Sequence, residues 1–388
     1  MRLHLLVPRV EPDRFSKPTI CPRKGCGGTH FRLHQKVAKP LKDMRYQKVT
    51  AYRYQCLRCG CTFRVYPQGV TRAHTSQRVK GLGVMLYLLG LSYGAVSLTL
   101  EALGVYMSKS RVYDAVQAAA ERVRGLKRDR VFEGIRTPVV GSDVTSVKCN
   151  GKWVHIGLTV DGVNGTVLTV DGLSGEDAET LRVWLEPICA AVGADVMVTD
   201  DADAFKEVAR KLGLKHQVCK SHVVRNTEEL VANLTEAIVE GQDDSLSIIG
   251  VSAEEAIADL ERLGELIHSR QPEEEAELER LHLRYIKAAP PRKGEQASIA
   301  YRLRMLFLDR WELWRRLTFY RRWRGPEGET IDGTNNGAER AIGWRIKERY
   351  RSMRGYKRLR SVFNVSRLLA WAGNYLGRGG ADLALVIA

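Results

Sequence analysis

Thr137-Pro138-Val139-Val140-Gly141-Ser142-Asp143-Val144-Thr145-Ser146-Val147 reads as a β-strand, rich in β-branched residues and carrying one carboxylate, Asp143. Gly151 to Val160 alternates, with Trp153, His155, Gly157 and Thr159 set against Val154, Ile156, Leu158 and Val160. That is the period of a second strand with one buried face. The turn Asp161-Gly162-Val163-Asn164-Gly165 then leads into a third strand, Thr166 to Val170. Ser174 is expected to cap a helix running to about Val192, with Glu176 and Asp177 in its first turn. Ala194 to Thr199 is a fourth strand, ended by Asp200-Asp201. A helix to about Leu212 follows, and Leu214 to Val218 is the fifth strand.

Three hairpin-linked strands followed by helix–strand–helix–strand is the order of an α/β RNase H-like core. Catalysis on such a core needs carboxylates converging on two divalent ions about 3.5–4 Å apart, and carboxylate oxygens are suitable hard ligands for Mg2+. Asp143 on the first strand and Asp200 at the end of Val196-Met197-Val198 are the first two candidates, with Asp201 as an alternative second acid. Thr334-Asn335-Asn336-Gly337-Ala338-Glu339-Arg340 offers the third. There Asn335 or Asn336 would cap a helix with Glu339 in its first turn and Arg340, Lys347 and Arg351 further along.

The 388 residues, 44% hydrophobic and 27% charged, are enough for two or three domains and exclude bulk disorder. The net charge of +16 favours a polyanionic partner, most often nucleic acid. It is unevenly spread. Residues 1–66 hold 15 Lys/Arg against 3 Asp/Glu, whereas residues 226–286 hold 4 against 16. Residues 340–360 hold nine Lys/Arg and one Glu. Met1 to Pro8 is too short and too poor in small residues for a signal peptide. The uncharged run Leu82 to Leu100 contains Gly83, Gly90, Ser92, Gly94, Ser97 and Thr99, and is expected to form buried helices rather than a membrane span. A cytoplasmic, nucleoid-associated protein is expected.

Five of eight cysteines fall between 21 and 61, as Cys21-x4-Cys26 and Cys56-x2-Cys59-Gly60-Cys61. Two such knuckles suit a tetrahedral Zn2+ held by Cys21, Cys26, Cys56 and Cys59, with Cys61 spare. Disulfides suit an intracellular chain poorly. Residues 76–125 read as helices with apolar positions at Val84, Leu88, Leu91, Val96, Leu100 and Leu103, then, after the break at Gly104-Val105 and a cap at Ser108, Val112, Val116 and Ala119. A helix, a glycine turn and a helix starting with Lys109 and Arg111 suggest a helix-turn-helix, with an ordinary helical hairpin as the alternative.

On these residues the chain resembles prokaryotic insertion-sequence transposases of the DDE type. Gly141-Ser142-Asp143-Val144-Thr145 is similar to their first-Asp strand and Val198-Thr199-Asp200-Asp201 to their second. These families often have Asp-Gly at the second acid, where this chain has Asp200-Asp201. Cys219-Lys220-Ser221-His222, with Arg225-Asn226, resembles the Cys-x2-His element of the mutator-like and related groups. Thr334-Asn335-Asn336 with Glu339-Arg340, Lys347, Arg351-Ser352-Met353 and Gly355-Tyr356 resembles their Glu-helix signature. The resemblance implies Asp143, Asp200 and Glu339 on Mg2+ or Mn2+, with His222 near the catalytic centre. A His and a Cys that merely shape the turn after the fifth strand are an equal alternative. No partner pair lies near Cys219 and His222 in sequence, so a metal role is not expected for them.

The 138 residues between Asp200 and Glu339 exceed a plain core, so 226–330 is expected to be an α-helical insertion. Trp311, Trp314 and Trp323 lie among its arginines and could stack on unpaired bases. For Trp311 and Trp314, three apart on one helix face, packing inside the insertion is the preferred reading. The expected organisation is a zinc ribbon (1–70), a helix-turn-helix domain (71–130), the RNase H-like core in two parts (131–225 and 331–388) and the insertion. The expected function is a DNA transposase that hydrolyses phosphodiesters and transfers strands at element ends. It would act as a homodimer or higher oligomer on double-stranded terminal repeats and target DNA. Lys109 and Arg111 would contact DNA, and Arg345, Lys347, Arg349 and Arg351 would hold phosphates. A non-catalytic DNA-binding protein and a structure-selective nuclease are the rivals.

Overall fold

The computed structural model describes residues 5–130, 135–353, 355–375 and 381–387. It divides into two compact units, one of residues 1–133, 146–154 and 341–388, the other of residues 134–145 and 155–340.

In the first unit, strands β1 (Phe31–Pro40), β2 (Lys48–Cys56) and β3 (Thr62–Val65) form an antiparallel sheet. Its aromatic residues pack across strands, Phe31 against Phe63 at 5.3 Å and Tyr54 against Phe63 at 6.3 Å. Helices α1 (Gln77–Leu88), α2 (Tyr93–Ala102) and α3 (Lys109–Arg130) follow. Ser76 and Ser92 cap the first two by accepting from Val79 N and Ala95 N. Val84, Val96, Leu100, Val112, Val116 and Ala119 are buried, as their spacing requires, whereas Leu103 is exposed. The run Leu82 to Leu100 is therefore two helices broken near Gly90. Among the described residues no helix is long and apolar enough to cross a membrane.

The central sheet comprises β4 (Val139–Cys149), β5 (Lys152–Asp161), β6 (Val167–Leu173), β7 (Val196–Thr199) and β8 (Lys215–Val218), in the order β8-β7-β4-β5-β6. β7 runs parallel to both β4 and β8, and β5 pairs antiparallel with β6. The chain is thus mixed α/β, with five strands in the sequence order expected. One cap differs: helix α4 (Ala178–Val192) is capped by Asp177, not Ser174. Asp177 accepts from Glu179 N and Thr180 N, and a carboxylate at this position also meets the positive end of the helix dipole. Helix α5 (Asp203–Lys211) joins β7 to β8.

After β8 come α6 (Lys220–Val239), α7 (Ala253–Ser269), α8 (Glu275–Arg284) and α9 (Ile299–Leu317). They share a core built on Leu234, Leu260, Leu263, Leu266, Leu278 and Phe307. Most of the acidic residues of this block lie on its outside and are partly paired, as in Arg262 with Glu277 at 2.8 Å, whereas Asp259 is buried and bonded to Arg284 and Tyr285. The tryptophans are structural. Trp314 is fully buried with Nε1 donating to Gln271 O, and Trp311 packs against His282 at 5.8 Å. Trp323, expected among candidates for base stacking, instead packs against Val139, Val196 and Val198 beneath the central sheet, where no base could reach it.

Helix α10 (Asn336–Arg340) continues as a π-helical run, Ala341–Lys347, and then as α11 (Glu348–Met353). The single regular helix expected to carry Arg340, Lys347 and Arg351 is thus interrupted. Within the first unit, α12 (Leu359–Tyr375) packs on α3, with Asn364 Nδ2 donating to Gln117 Oε1 at 2.9 Å.

Candidate active site

Parallel pairing sets Val198 against Gly141. Asp143 follows Gly141 by two residues on β4, and Asp200 directly follows the last residue of β7. Both carboxylates are half-buried. Asp200 Oδ1 accepts from Ala202 N at 3.2 Å, which fixes the turn out of β7. Burial pushes the Asp200 carboxyl up, an effect that His222 opposes and that Asp201 and Glu176 reinforce. Asp201 is turned to a different task, an ion pair with Lys206 at 2.9 Å. Below Asp200, Thr199 Oγ1 meets His216 Nε2 at 2.9 Å.

Glu339 reaches the sheet through Asn335. The Asn335 amide, 2% exposed, donates Nδ2 to Ser142 O at 2.8 Å, and the Glu339 backbone N–H donates to Asn335 O at 3.0 Å. Asn335 directly precedes the helix, where a cap is expected, but its Oδ1 accepts nothing among the described residues and its side chain serves as a strut to β4. Gly141 makes room for it, since a Cβ there would lie 3.0 Å from Asn335 Oδ1 and 2.8 Å from Val160 Cγ2. Asn335 N also donates to Cys219 Sγ at 3.3 Å.

Cys219 and His222 lie at the start of α6, directly after β8. Cys219 is fully buried, with Sγ 3.4 Å from Glu339 Oε1, and His222 Nε2 is 3.9 Å from the same oxygen. Ligand atoms of all three fall within 4.8 Å of one another. Among the described residues, Asp143, Asp200 and Glu339 do not form such a group. The two aspartates and Glu339 supply hard oxygen donors suited to Mg2+. Glu339, however, is shared with a sulfur and an imidazole, a contact that closes over 120 residues of chain.

In the first unit, Cys21, Cys26, Cys56 and Cys59 form the other compact group among the described residues. Cys21 and Cys59 sulfurs are 3.7 Å apart and those of Cys26 and Cys56 3.8 Å. Zn–S bonds of about 2.3 Å at tetrahedral angles require about 3.8 Å between sulfurs, so the donors fit zinc. The Cys61 N–H holds the Cys59 thiol down to about 6, towards the thiolate. Gly28 is needed here, because a Cβ would lie 2.7 Å from Cys56 Sγ. Cys61 stays outside the group, as expected.

Lys109, Arg111, Lys347 and Arg351 are exposed. The Arg345 side chain lies outside the described residues. Arg349, expected to hold phosphate, is buried. Its guanidinium donates to Gly90 O and Leu91 O and lies 4.0 Å over the Tyr87 ring, so its donors are spent on packing.

No family model and no curated protein matches the sequence. Among solved structures, the HTLV-2 integrase catalytic core domain in complex with magnesium (trimeric form) is similar at 20% identity, over 32% of this chain and 83% of that one, with a TM-score of 0.19. The BIV integrase catalytic core domain is similar at 12% identity, over 50% and 90%, with a TM-score of 0.18. Scores of this size carry no weight for the site; strand order and side-chain geometry do.

Proposed function

We propose that the chain is a DDE-type DNA transposase with an RNase H-like core, in which Asp143, Asp200 and Glu339 hold Mg2+ or Mn2+. The observation that carries this reading is the strut from Asn335 to Ser142, which docks the start of the Glu339 helix on the strand bearing Asp143, beside the strand that Asp200 directly follows. Ions bound there would activate a water or a DNA 3′-OH and stabilise charge on the phosphoryl oxygens. The chain's own task is positioning. Ala202 N fixes the Asp200 carboxylate, and Asn335 fixes the Glu339 backbone. Asp200 is preferred to Asp201 because Asp201 is engaged in an ion pair with Lys206, which also pairs with Asp203.

The four-cysteine sheet would be a zinc ribbon and α2–α3 a helix-turn-helix, and together they would find terminal repeats. Exposed Lys109, Arg111, Lys347 and Arg351 would engage DNA phosphates, and pairing two ends would require a dimer. Metal-dependent cleavage and strand transfer with pre-cut element ends tests the reading. Wild type should act, and Asp143→Ala, Asp200→Ala and Glu339→Ala should not. If all four behave alike, the chain is instead a non-catalytic DNA-binding protein. If it cuts branched DNA as well as specific ends, it is a structure-selective nuclease.

A further inference from the structure

Beyond its carboxylates, the second unit brings a thiol, an imidazole and a carboxylate to one point. Cys219 Sγ and His222 Nε2 stand 3.4 and 3.9 Å from Glu339 Oε1, with all three ligand atoms inside 4.8 Å. A tetrahedral zinc ion with one S, one N and one O ligand needs edges of about 3.3–3.6 Å. The trio is therefore within side-chain adjustment of a coordination shell. Thiolate and imidazole favour Zn2+-type ions over Mg2+, which prefers oxygen alone. Cys219 is closed off from solvent, but His222 and Glu339 are each about one-third exposed, at 30% and 33%, so an ion has a way in and a solvent molecule can complete the shell.

We infer that Cys219, His222 and Glu339 form a second cation site, selective for a thiophilic divalent ion of the zinc class, that competes for Glu339. On binding, the Cys219 thiol loses its proton to solvent and its S–H···O contact to Glu339 is replaced by shared coordination. Occupancy then ties the Glu339 carboxylate to the soft ion and withdraws it from Asp143 and Asp200. The regulatory half of this inference rests on the transposase reading above; the binding half does not.

The test uses the full-length, metal-free chain titrated with Co2+ under reducing conditions. Bound metal is counted, and sulfur-to-cobalt charge-transfer absorption is followed. Wild type should take a second cobalt beyond that of the four-cysteine group. Cys219→Ser and His222→Ala should each weaken that second ion by about 10-fold or more. His222→Ala leaves the buried thiol in place and guards against a Cys219 variant that fails to fold. Equal cobalt counts and absorption in wild type and both variants overturn the site. In the cleavage assay with excess Mg2+, added Zn2+ should slow wild type and leave each variant's own rate unchanged; equal slowing in all three overturns the competition. Absence of cleavage under every condition would defeat the transposase reading while leaving the cobalt count to stand or fall by itself.

Discussion

Asn335 Nδ2 donates to the carbonyl oxygen of Ser142 at 2.8 Å, across 193 residues of chain. The acceptor residue precedes Asp143, and the donor residue's own carbonyl receives the Glu339 N–H. One buried amide thus ties the residue before Asp143 to the turn that carries Glu339. Asn335→Ala should cost about 1–3 kcal/mol, because a buried carbonyl loses its donor. It should also slow cleavage by up to about 100-fold through misplacement of Glu339. Denaturant unfolding and single-turnover rates check this, with DNA affinity expected to hold.

Gly141→Ala probes the same contact from the strand side. The added methyl would sit 2.8 Å from Val160 Cγ2 and 3.0 Å from Asn335 Oδ1. Overpacking of this kind costs about 1–3 kcal/mol. The variant should lose more activity than Gly264→Ala, where a Cβ meets nothing within 4 Å. Comparing melting temperatures and rates of the two decides it.

Removal of zinc should act on the first unit alone. A chelator, or Cys56→Ser, should release one zinc per chain and abolish the near-ultraviolet dichroism of the Tyr54–Phe63 and Phe31–Phe63 pairs. Helical far-ultraviolet signal should persist, since α4 to α9 lie in the other unit. Coincident loss of both signals would contradict independent folding of the four-cysteine sheet.

His216 should make stability depend on pH. Burial, helped by Arg316 and Lys206, holds its imidazole down to about 3. The folded state therefore keeps it neutral, while the unfolded chain takes up a proton below about 6.5. Its contribution is fully present above that value and is lost as pH falls, by at most about 1.4 kcal/mol per pH unit. His216→Gln should flatten the fall in denaturation midpoint between about pH 6.5 and 4.5. A slope equal to wild type would mean another group carries the proton.

Much of the central sheet was legible because its signals are local. Alternation from Trp153 to Val160, the apolar run Val196-Met197-Val198 and the paired cysteines each need only a few neighbours to be understood. The cap of α4 was missed because Ser174, Glu176 and Asp177 all offer oxygens, and only backbone geometry selects Asp177. Trp323 and Arg349 were illegible for a different reason. Their partners are Val139 and Gly90, and no window of sequence contains both ends.

The hairpin tip at 146–154 belongs with residues near the C-terminus. Lys148 N donates to Tyr350 Oη, and Asn150 N to Tyr356 O. Synthesis at about 5–20 residues per second makes those partners about 10–40 s after the tip itself. A nascent chain therefore carries β4 and β5 with their ends unmatched for that interval, and Glu339 emerges within the same window. The cysteine-bearing sheet, all of it before residue 66, can be complete on the ribosome long before the rest of its own unit, whose last part is residues 341–388.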